Sequence, residues 1–217
     1  HGRFRDSDLL RTVFEDVVRR CMAAGLVGGE GFAIDASVLE ADASRYHGLS
    51  GDEVIDWTDR KLDTRAAREY LAALDPEPDK RRKTPKLISP SDPCSAWTAK
   101  ANKRVQLGYG LNYLIDNENA IIVDVEATPA RNYDEVAATK TMIERTGRRF
   151  GLKPGRLAAD TAYGTGRMLG WLKEQDIEPH IPVWDRSRRM DGTFSRCDFN
   201  YDTERDVYIC PDGKALK

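Results

Sequence analysis

The sequence lacks any long hydrophobic run. It has 217 residues, 40% of them hydrophobic, which is enough to build a buried core. No apolar stretch approaches the roughly 18 residues of a membrane-spanning helix, and the first residues, HGRFRDSD, do not resemble a secretory signal. We therefore expect a globular, cytoplasmic protein without a membrane partner.

Cysteine is scarce. The four cysteines, at positions 21, 94, 197 and 210, form no CxxC pair, which argues against a disulfide framework and against a complete zinc site. For Cys197 and Cys210 we expect a structural role rather than zinc binding. This cysteine usage is typical of a reducing compartment.

An excess of positive charge is also absent. Lys and Arg number 34 and Asp and Glu number 36, and the formal net charge of -2 argues against a protein that coats DNA over its whole surface. Any nucleic-acid surface must be local, and the candidates are Lys80, Arg81, Arg82, Lys83, Lys86, Lys100, Lys103 and Arg104. Two interpretations stay open for this basic cluster: it follows DNA phosphates, or it is a solvated linker. Its first part lies in DPEPDKRRKTPKLISPSDP, where five prolines predict little order.

The clearest patterns are those of β-strands. Apolar residues alternate from position 105 to 115, and after a turn at residues 116–119 the alternation resumes at Ile121, which predicts a β-hairpin. We expect Asp116 to belong to the turn and Asp124 to face solvent. The earlier stretch GFAIDAS predicts another strand, with Asp35 on the face opposite Phe32 and Ile34.

Helical spacing appears in four places. Apolar residues at positions 10, 14, 17 and 21 predict a helix over 6–22, and weaker spacing predicts one over 58–74. A third helix is expected from Asn132 to about Gly151, with Glu135 as the capping-box partner of Asn132, and a fourth over 166–175. Between the last two, RLAADTAYG predicts a short buried strand that ends at Asp160, and IEPHIPVW predicts a final strand at a sheet edge.

This order of elements predicts the fold class. One strand, a long insertion, a hairpin, a helix, a strand, a helix and a last strand give an α/β protein with a five-stranded mixed sheet covered by helices, the ribonuclease H-like plan. The first and fourth strands are parallel neighbours in that plan, so Asp35 and Asp160 should meet. Two such carboxylates form a hard-oxygen site suited to Mg²⁺ or Mn²⁺, and two ions about 4 Å apart can stabilise the attacking and leaving oxygens of phosphodiester chemistry.

Several segments resemble the DDE transposases of bacterial insertion sequences. They are FRDSDLLRTVFEDVVRRCMAAGLVGGEGFAIDASVLEADAS, SPSDPCSAW, the strand that contains GYGLNYLID, and RLAADTAYGTGRMLGWLKEQDIEPHIPV. The resemblance spans nearly the whole chain. It implies a transposase that cleaves and joins double-stranded DNA as a homo-oligomer, with Asp35 and Asp160 as catalytic, metal-binding residues and two Mg²⁺ or Mn²⁺ ions as cofactors.

The third acid of that family is a glutamate on a later helix, and nothing after Ile181, Glu204 included, matches its pattern. The resemblance therefore implies an internal portion of a transposase, truncated at both ends and inactive or very weak alone. The expected domains are a helical lead-in over 1–28, a catalytic core over 29–184 with an insertion at about 45–103, and an incomplete β-rich, cysteine-bearing insertion over 185–217. Two alternatives stay open: a non-catalytic DNA-binding or assembly remnant, and a related nuclease that cuts but does not join.

Overall fold

The structure is a computed structural model, and it describes residues 7–51, 55–72, 85–99, 104–130, 132–184 and 192–216. The helices are α1 (Leu9–Ala23), α2 (Arg65–Ala72), α3 (Asn132–Phe150) and α4 (Gly166–Glu174). The strands are β1 (Gly31–Glu40), β2 (Leu49–Ser50), β3 (Leu87–Ile88), β4 (Ala96–Thr98), β5 (Gln106–Asp116), β6 (Ile121–Pro129), β7 (Arg156–Ala158), β8 (Glu178–His180), β9 (Asn200–Asp202), β10 (Val207–Ile209) and β11 (Ala215–Leu216).

A mixed sheet organises the chain. Its order is β4-β5-β1-β7-β8, and β6 also pairs with β5. The hairpin strands β5 and β6 are antiparallel, β5 is antiparallel to β1, and β7 is parallel to both β1 and β8. The expected α/β class and ribonuclease H-like plan are thus confirmed. The short strand β4 joins as a sixth strand, and it comes from the long insertion that follows β1.

One hydrophobic core joins this sheet to its helices. Strands β1, β5, β6 and β7 contribute Phe32, Ile34, Leu114, Val123 and Leu157, and helices α1, α3 and α4 contribute Val18, Met142, Met168 and Leu172, among others. Most of these side chains are fully buried. Because apolar residues of strands and helices meet here, the core fixes where β1 and β7 end relative to α3.

The inward face of α1 differs from the predicted one. Leu10 and Val17 are 69% and 52% exposed, whereas Val18 and the charged Glu15 are buried. Glu15 carries two ion pairs, 3.2 Å to Arg19 and 3.6 Å to Arg149, which accounts for its place against the protein. Apolar periodicity alone could not show this, because it treats a paired carboxylate as solvent-facing.

Two hairpin acids are buried, and for Asp124 this contradicts the predicted solvent exposure. Asp124 was expected in solvent but is 2% exposed, and its two carboxylate oxygens lie 2.6 Å from Nη1 of Arg11 and 2.7 Å from Nε of Arg145. Asp116, which is 1% exposed, accepts hydrogen bonds from the backbone N–H groups of Gly29 and Glu118. Charge pairing and hydrogen bonds offset the loss of hydration in both cases.

The insertion also departs from expectation. Helix α2 begins at Arg65 rather than near Thr58, because the Asp56 and Asp59 carboxylates accept backbone N–H groups two residues on and so favour turns over helix. Residues 73–84 lie outside the described chain. Order was not expected over residues 85–93, yet β3 pairs with β2 and the Tyr109 hydroxyl donates to Asp92.

Candidate active site

Asp35 and Asp160 lie beside each other at the ends of parallel pairing. Strands β1 and β7 pair from Gly31–Arg156 to Ala33–Ala158, so each acid lies two residues beyond the last pair. From Ile34 onward, the described pairing of β1 is with β5 alone, which leaves the other edge of β1 open toward Asp160. Both side chains line the same cleft. The structure thus brings the two predicted residues together, as the parallel arrangement required.

Asp35 is held by the strand that carries it. Its neighbours Ile34 and Ala36 are buried, while Asp35 itself is exposed and pairs in register with Tyr113 of β5. Its Oδ1 accepts the N–H of Ala36 at 2.7 Å. Alternation in β1 therefore anchors the strand on one face and presents this carboxylate on the other.

Asp160 is held by a cap. It precedes the 3-10 helix Thr161–Tyr163, and its Oδ1 accepts the N–H of Ala162 at 2.8 Å. The side chain is otherwise exposed. In the part of the chain that the structure describes, the Oδ2 atoms of Asp35 and Asp160 accept no hydrogen bond. Each acid therefore offers one carboxylate oxygen to a ligand.

The cleft has a volume of about 180 Å³ and an acidic lining. Its described walls carry three acids and no basic side chain: Asp35, Glu135 and Asp160 lie among Ala36, Val38, Thr98, Ala99, Ala130, Ala162 and Tyr163. Three carboxylates in one small cleft repel an approaching anion. A phosphate could therefore enter only together with cations.

Glu135 is a cleft residue that sequence reasoning missed. The sequence predicted only a capping role for Glu135 in α3. In the structure its side chain lies over Gly110 of β5, and its Oε1 would be 3.4 Å from a Cβ added to that glycine. Glycine at 110, inside a strand of bulky residues, leaves room for this side chain and was the one available signal.

Tyr163 is a buried tyrosine that lines the cleft together with the three acids. It is 2% exposed, and its hydroxyl has no hydrogen-bond partner among the described residues. Burial raises the pKa of the Tyr163 hydroxyl above its usual range, and the charges of Glu135, Asp160 and Asp35 raise it further. Sequence reasoning missed this residue too, because an apolar environment around a tyrosine leaves no periodic signal.

The donor set fits a hard divalent cation in chemistry but is incomplete in number. Carboxylate oxygens are the ligands that Mg²⁺ and Mn²⁺ prefer. Over the described ranges, no group of three or more His, Cys, Asp or Glu side chains converges closely enough to hold a metal ion. Asp35 and Asp160 thus supply two carboxylates, and a third ligand must come from Glu135 after a rotamer change, from beyond these residues, or from substrate.

The basic cluster is only partly described. Lys86 and Arg104 are exposed, and Arg104 lies two residues before β5, whose first residue pairs with the cleft residue Thr98. The other members lie outside the described residues: Lys80, Arg81, Arg82, Lys83, Lys100 and Lys103. Their role as phosphate contacts stays a prediction.

The cysteines near the end of the sequence flank strands of a small β-sheet: Cys197 lies in the 3-10 helix Arg196–Asp198 before β9, and Cys210 follows β10 directly. Strands β9, β10 and β11 form three antiparallel strands, and the Cys210 Sγ accepts the N–H of Lys214 at 3.3 Å in the turn between the last two. Cys210 is buried and Cys197 is exposed. The structural role predicted for both, like the bounds of the predicted domains, stays a prediction.

A larger groove lies at the opposite end of β1 and β7. It has a volume of about 560 Å³ and mixes Glu30 and Glu178 with Lys153 and Arg156 along a glycine-rich wall. None of the residues singled out as catalytic from the sequence lines this groove. The smaller cleft, whose described lining holds the predicted Asp35 and Asp160 together with Glu135, is therefore the candidate active site.

One of the comparisons with known proteins identifies a family for the chain. No helix in the described ranges combines the length and apolarity that a membrane crossing requires. Neither the curated proteins nor the solved structures include a significant match to the chain. The sequence profile of the transposase DDE domain matches residues 29–207, most of the chain, including both aspartates. The chain therefore belongs to the DDE transposase family.

Proposed function

We propose that this protein catalyses metal-dependent cleavage of DNA at the ends of an insertion sequence and transfer of the freed strand to a target. The observation that carries the proposal is that Asp35 and Asp160, 125 positions apart in the sequence, line one acidic cleft at equivalent points of two parallel strands. Membership of the DDE transposase family supports nucleotidyl-transfer chemistry in general.

Asp35 and Asp160 would hold the cations through the Oδ2 oxygens that accept no hydrogen bond in the described structure. Bound Mg²⁺ or Mn²⁺, two ions in the full site, would neutralise phosphate charge and stabilise the attacking and leaving oxygens. Neither aspartate has to act as a general base. Their contribution is to place charge and to fix the geometry of an in-line displacement.

The reaction has two displacements. Water attacks a phosphodiester at the end of the element, forms a new P–O bond and releases a DNA 3′-hydroxyl. That hydroxyl then attacks a phosphodiester of the target, and the 3′-hydroxyl of the target strand leaves. The third acid of the family is a glutamate, and no residue after Ile181 matches its pattern. With that glutamate supplied, both displacements would take place in the same cleft.

The basic cluster between positions 80 and 104 would bind backbone phosphates beside the cleft. Exposed Lys86 and Arg104 support this placement. Each phosphate contact should contribute about 0.9 to the slope of log affinity against log salt concentration for duplex DNA. Neutralising both residues should therefore weaken binding similarly for every DNA sequence.

We propose a homo-oligomer as the active form because two DNA ends must be joined in one event.

The test is DNA cleavage by the full-length protein on a plasmid that carries its gene with the flanking DNA, in Mn²⁺. Asp35→Asn and Asp160→Asn should each lower the cleavage rate at least about a hundredfold, the scale of losing one group that stabilises the transition state. Asp42→Asn is the matched control, because Asp42 is exposed just after β1 and does not line the cleft.

Undiminished cleavage by either cleft variant would end the catalytic assignment. Cleavage without joined products would identify a nuclease. DNA binding that is independent of metal, without cleavage, would favour the non-catalytic assembly role.

A further inference from the structure

The Tyr163 hydroxyl is buried and has no hydrogen-bond acceptor among the described residues. The ring belongs to the hydrophobic core, and the residue is 2% exposed. Its hydroxyl oxygen is shielded from solvent and has no hydrogen-bond partner among the described residues. Buried polar groups in native proteins are nearly always paired, so an unpaired one marks a place where a partner is missing.

The missing partner belongs in the acidic cleft, because Tyr163 lines it together with Asp35, Glu135 and Asp160. Ionised carboxylates only accept hydrogen bonds. In the described lining, the side-chain donors are the hydroxyls of Tyr163 and Thr98. A ligand that combines negative charge with acceptor oxygens would be held by cations on one side and by these donors on the other.

Tyr163 is also fixed relative to Asp160. The N–H of Tyr163 donates to the Asp160 carbonyl at 3.2 Å within one short helical turn, and the N–H of Trp184 donates to the Gly164 carbonyl at 3.0 Å. These backbone contacts fix the turn that carries Tyr163 relative to Asp160, and a fixed backbone is one condition for an oriented hydrogen bond from the side chain.

We propose that the Tyr163 hydroxyl donates a hydrogen bond to a non-bridging oxygen of the DNA phosphate in the Asp35–Asp160 cleft. This makes Tyr163 a substrate-binding residue, and the inference rests on the proposed function. A phosphodiester supplies acceptor oxygens and negative charge together. A water on a bound cation is a weaker candidate, because its lone pair is already directed at the ion.

The experiment uses the full chain labelled at tyrosine Cζ with ¹³C and the dinucleotide thymidylyl-thymidine as the phosphodiester probe. The Tyr163 resonance is assigned by its absence from Tyr163→Phe. It should shift when Mg²⁺ and the dinucleotide are added together, shift less with Mg²⁺ alone, and not respond to the dinucleotide in Asp35→Asn. Affinity of Tyr163→Phe for a 20-base-pair duplex in Mg²⁺ should fall about tenfold or more, as expected for a hydrogen bond to a charged group.

Stability supplies the second readout. Tyr163→Phe should keep or raise the Tm, because it deletes an unpaired buried hydroxyl, and it should bind Mn²⁺ as the unmodified protein does. Tyr208→Phe, in the small sheet away from the cleft, should change neither affinity nor Tm. A clear fall in Tm for Tyr163→Phe would reveal a structural partner for the hydroxyl and overturn the proposal.

Different results would contradict the role of Tyr163 and the proposed function. Binding of Mg²⁺ and DNA that requires Asp35, with an unmoved Tyr163 resonance and unchanged affinity in Tyr163→Phe, would overturn the Tyr163 assignment and leave the proposed function standing. Absence of any Asp35-dependent binding would overturn both.

Discussion

The carbonyl oxygen of Pro182 lies against Gly164, so closely that a Cβ added to Gly164 would be 2.0 Å from it. The Trp184 N–H donates to the Gly164 carbonyl at 3.0 Å, so the two segments touch through backbone on both sides. This contact fixes the turn that follows Asp160, because only a residue without a side chain lets the chains approach so closely.

Gly164→Ala should therefore displace the turn. We expect a loss of about 1–3 kcal/mol in the free energy of unfolding, the usual cost of forcing atoms into a packed site, and weaker Mn²⁺ binding because Asp160 moves with the turn. The measurements are urea denaturation and Mn²⁺ titration.

Gly170→Ala is the matched control for this change. Gly170 lies inside α4 with open space where the methyl group would go, so alanine should raise stability by about 0.5–1 kcal/mol through its higher helix propensity. Equal effects of the two substitutions would contradict the steric account of Gly164.

Removing the Asp124 charge should destabilise the fold. Asp124 is 2% exposed and pairs with both Arg11 and Arg145. Asp124→Asn removes this shared counter-charge and leaves Arg145 with its pair to Glu126. We expect a loss of up to about 3 kcal/mol, below the full cost of breaking a buried pair because both arginines reach water. Asp16→Asn, which breaks an exposed pair with Arg20, should cost less than about 0.5 kcal/mol in the same urea titration.

Stability should fall in alkaline solution. Burial and then neighbouring charge raise the pKa of Tyr163, and burial and then the hydrogen bond to Asp92 raise the pKa of Tyr109. An unfolded tyrosine ionises near pH 10, whereas these two keep their protons in the folded state. Their contribution is therefore complete below about pH 10 and is lost as the pH rises toward the folded pKa values.

The slope of this loss is about 1.4 kcal/mol per pH unit for each such tyrosine. Tyr163→Phe and Tyr109→Phe should each reduce the slope by that amount, and the double variant by twice as much. Unfolding free energies at pH 9, 10 and 11 measure it. An unaltered slope in both single variants would contradict the assignment.

Glu135→Gln should weaken cation binding without removing it. The side chain lines the cleft with Asp35 and Asp160 but does not join them in a three-residue metal group in the described structure. Losing one nearby charge should lower Mn²⁺ affinity roughly three- to tenfold at low ionic strength, and added salt should shrink the difference. Glu144→Gln, on the same helix and paired with Arg148, is the control. Loss of all binding would instead identify Glu135 as a direct ligand.

Most of the fold could be predicted from local sequence patterns. The alternation in β1, β5 and β6 and the order of elements predicted the mixed sheet, and the parallel pairing of β1 with β7 then placed Asp35 beside Asp160. These features follow from side-chain period and from short connections, which are properties of neighbouring residues.

Features that depend on distant partners were not predictable. The burial of Asp124 requires Arg11, 113 positions away, and the burial of Glu15 requires Arg149. The cleft position of Glu135 requires a glycine across the sheet at Gly110. Each is a polar or charged residue that a periodic pattern assigns to solvent, and only its three-dimensional partner reverses that assignment.

Part of the cleft lining comes from the long insertion between β1 and β5. Thr98 and Ala99, near the end of that insertion, line the cleft together with the acids. Chains that share the pair of aspartates but differ in this excursion would therefore accept differently shaped DNA. Under the proposed function, the shape of the cleft and its acidic chemistry would depend on separate stretches of the gene, so one could diverge while the other is preserved.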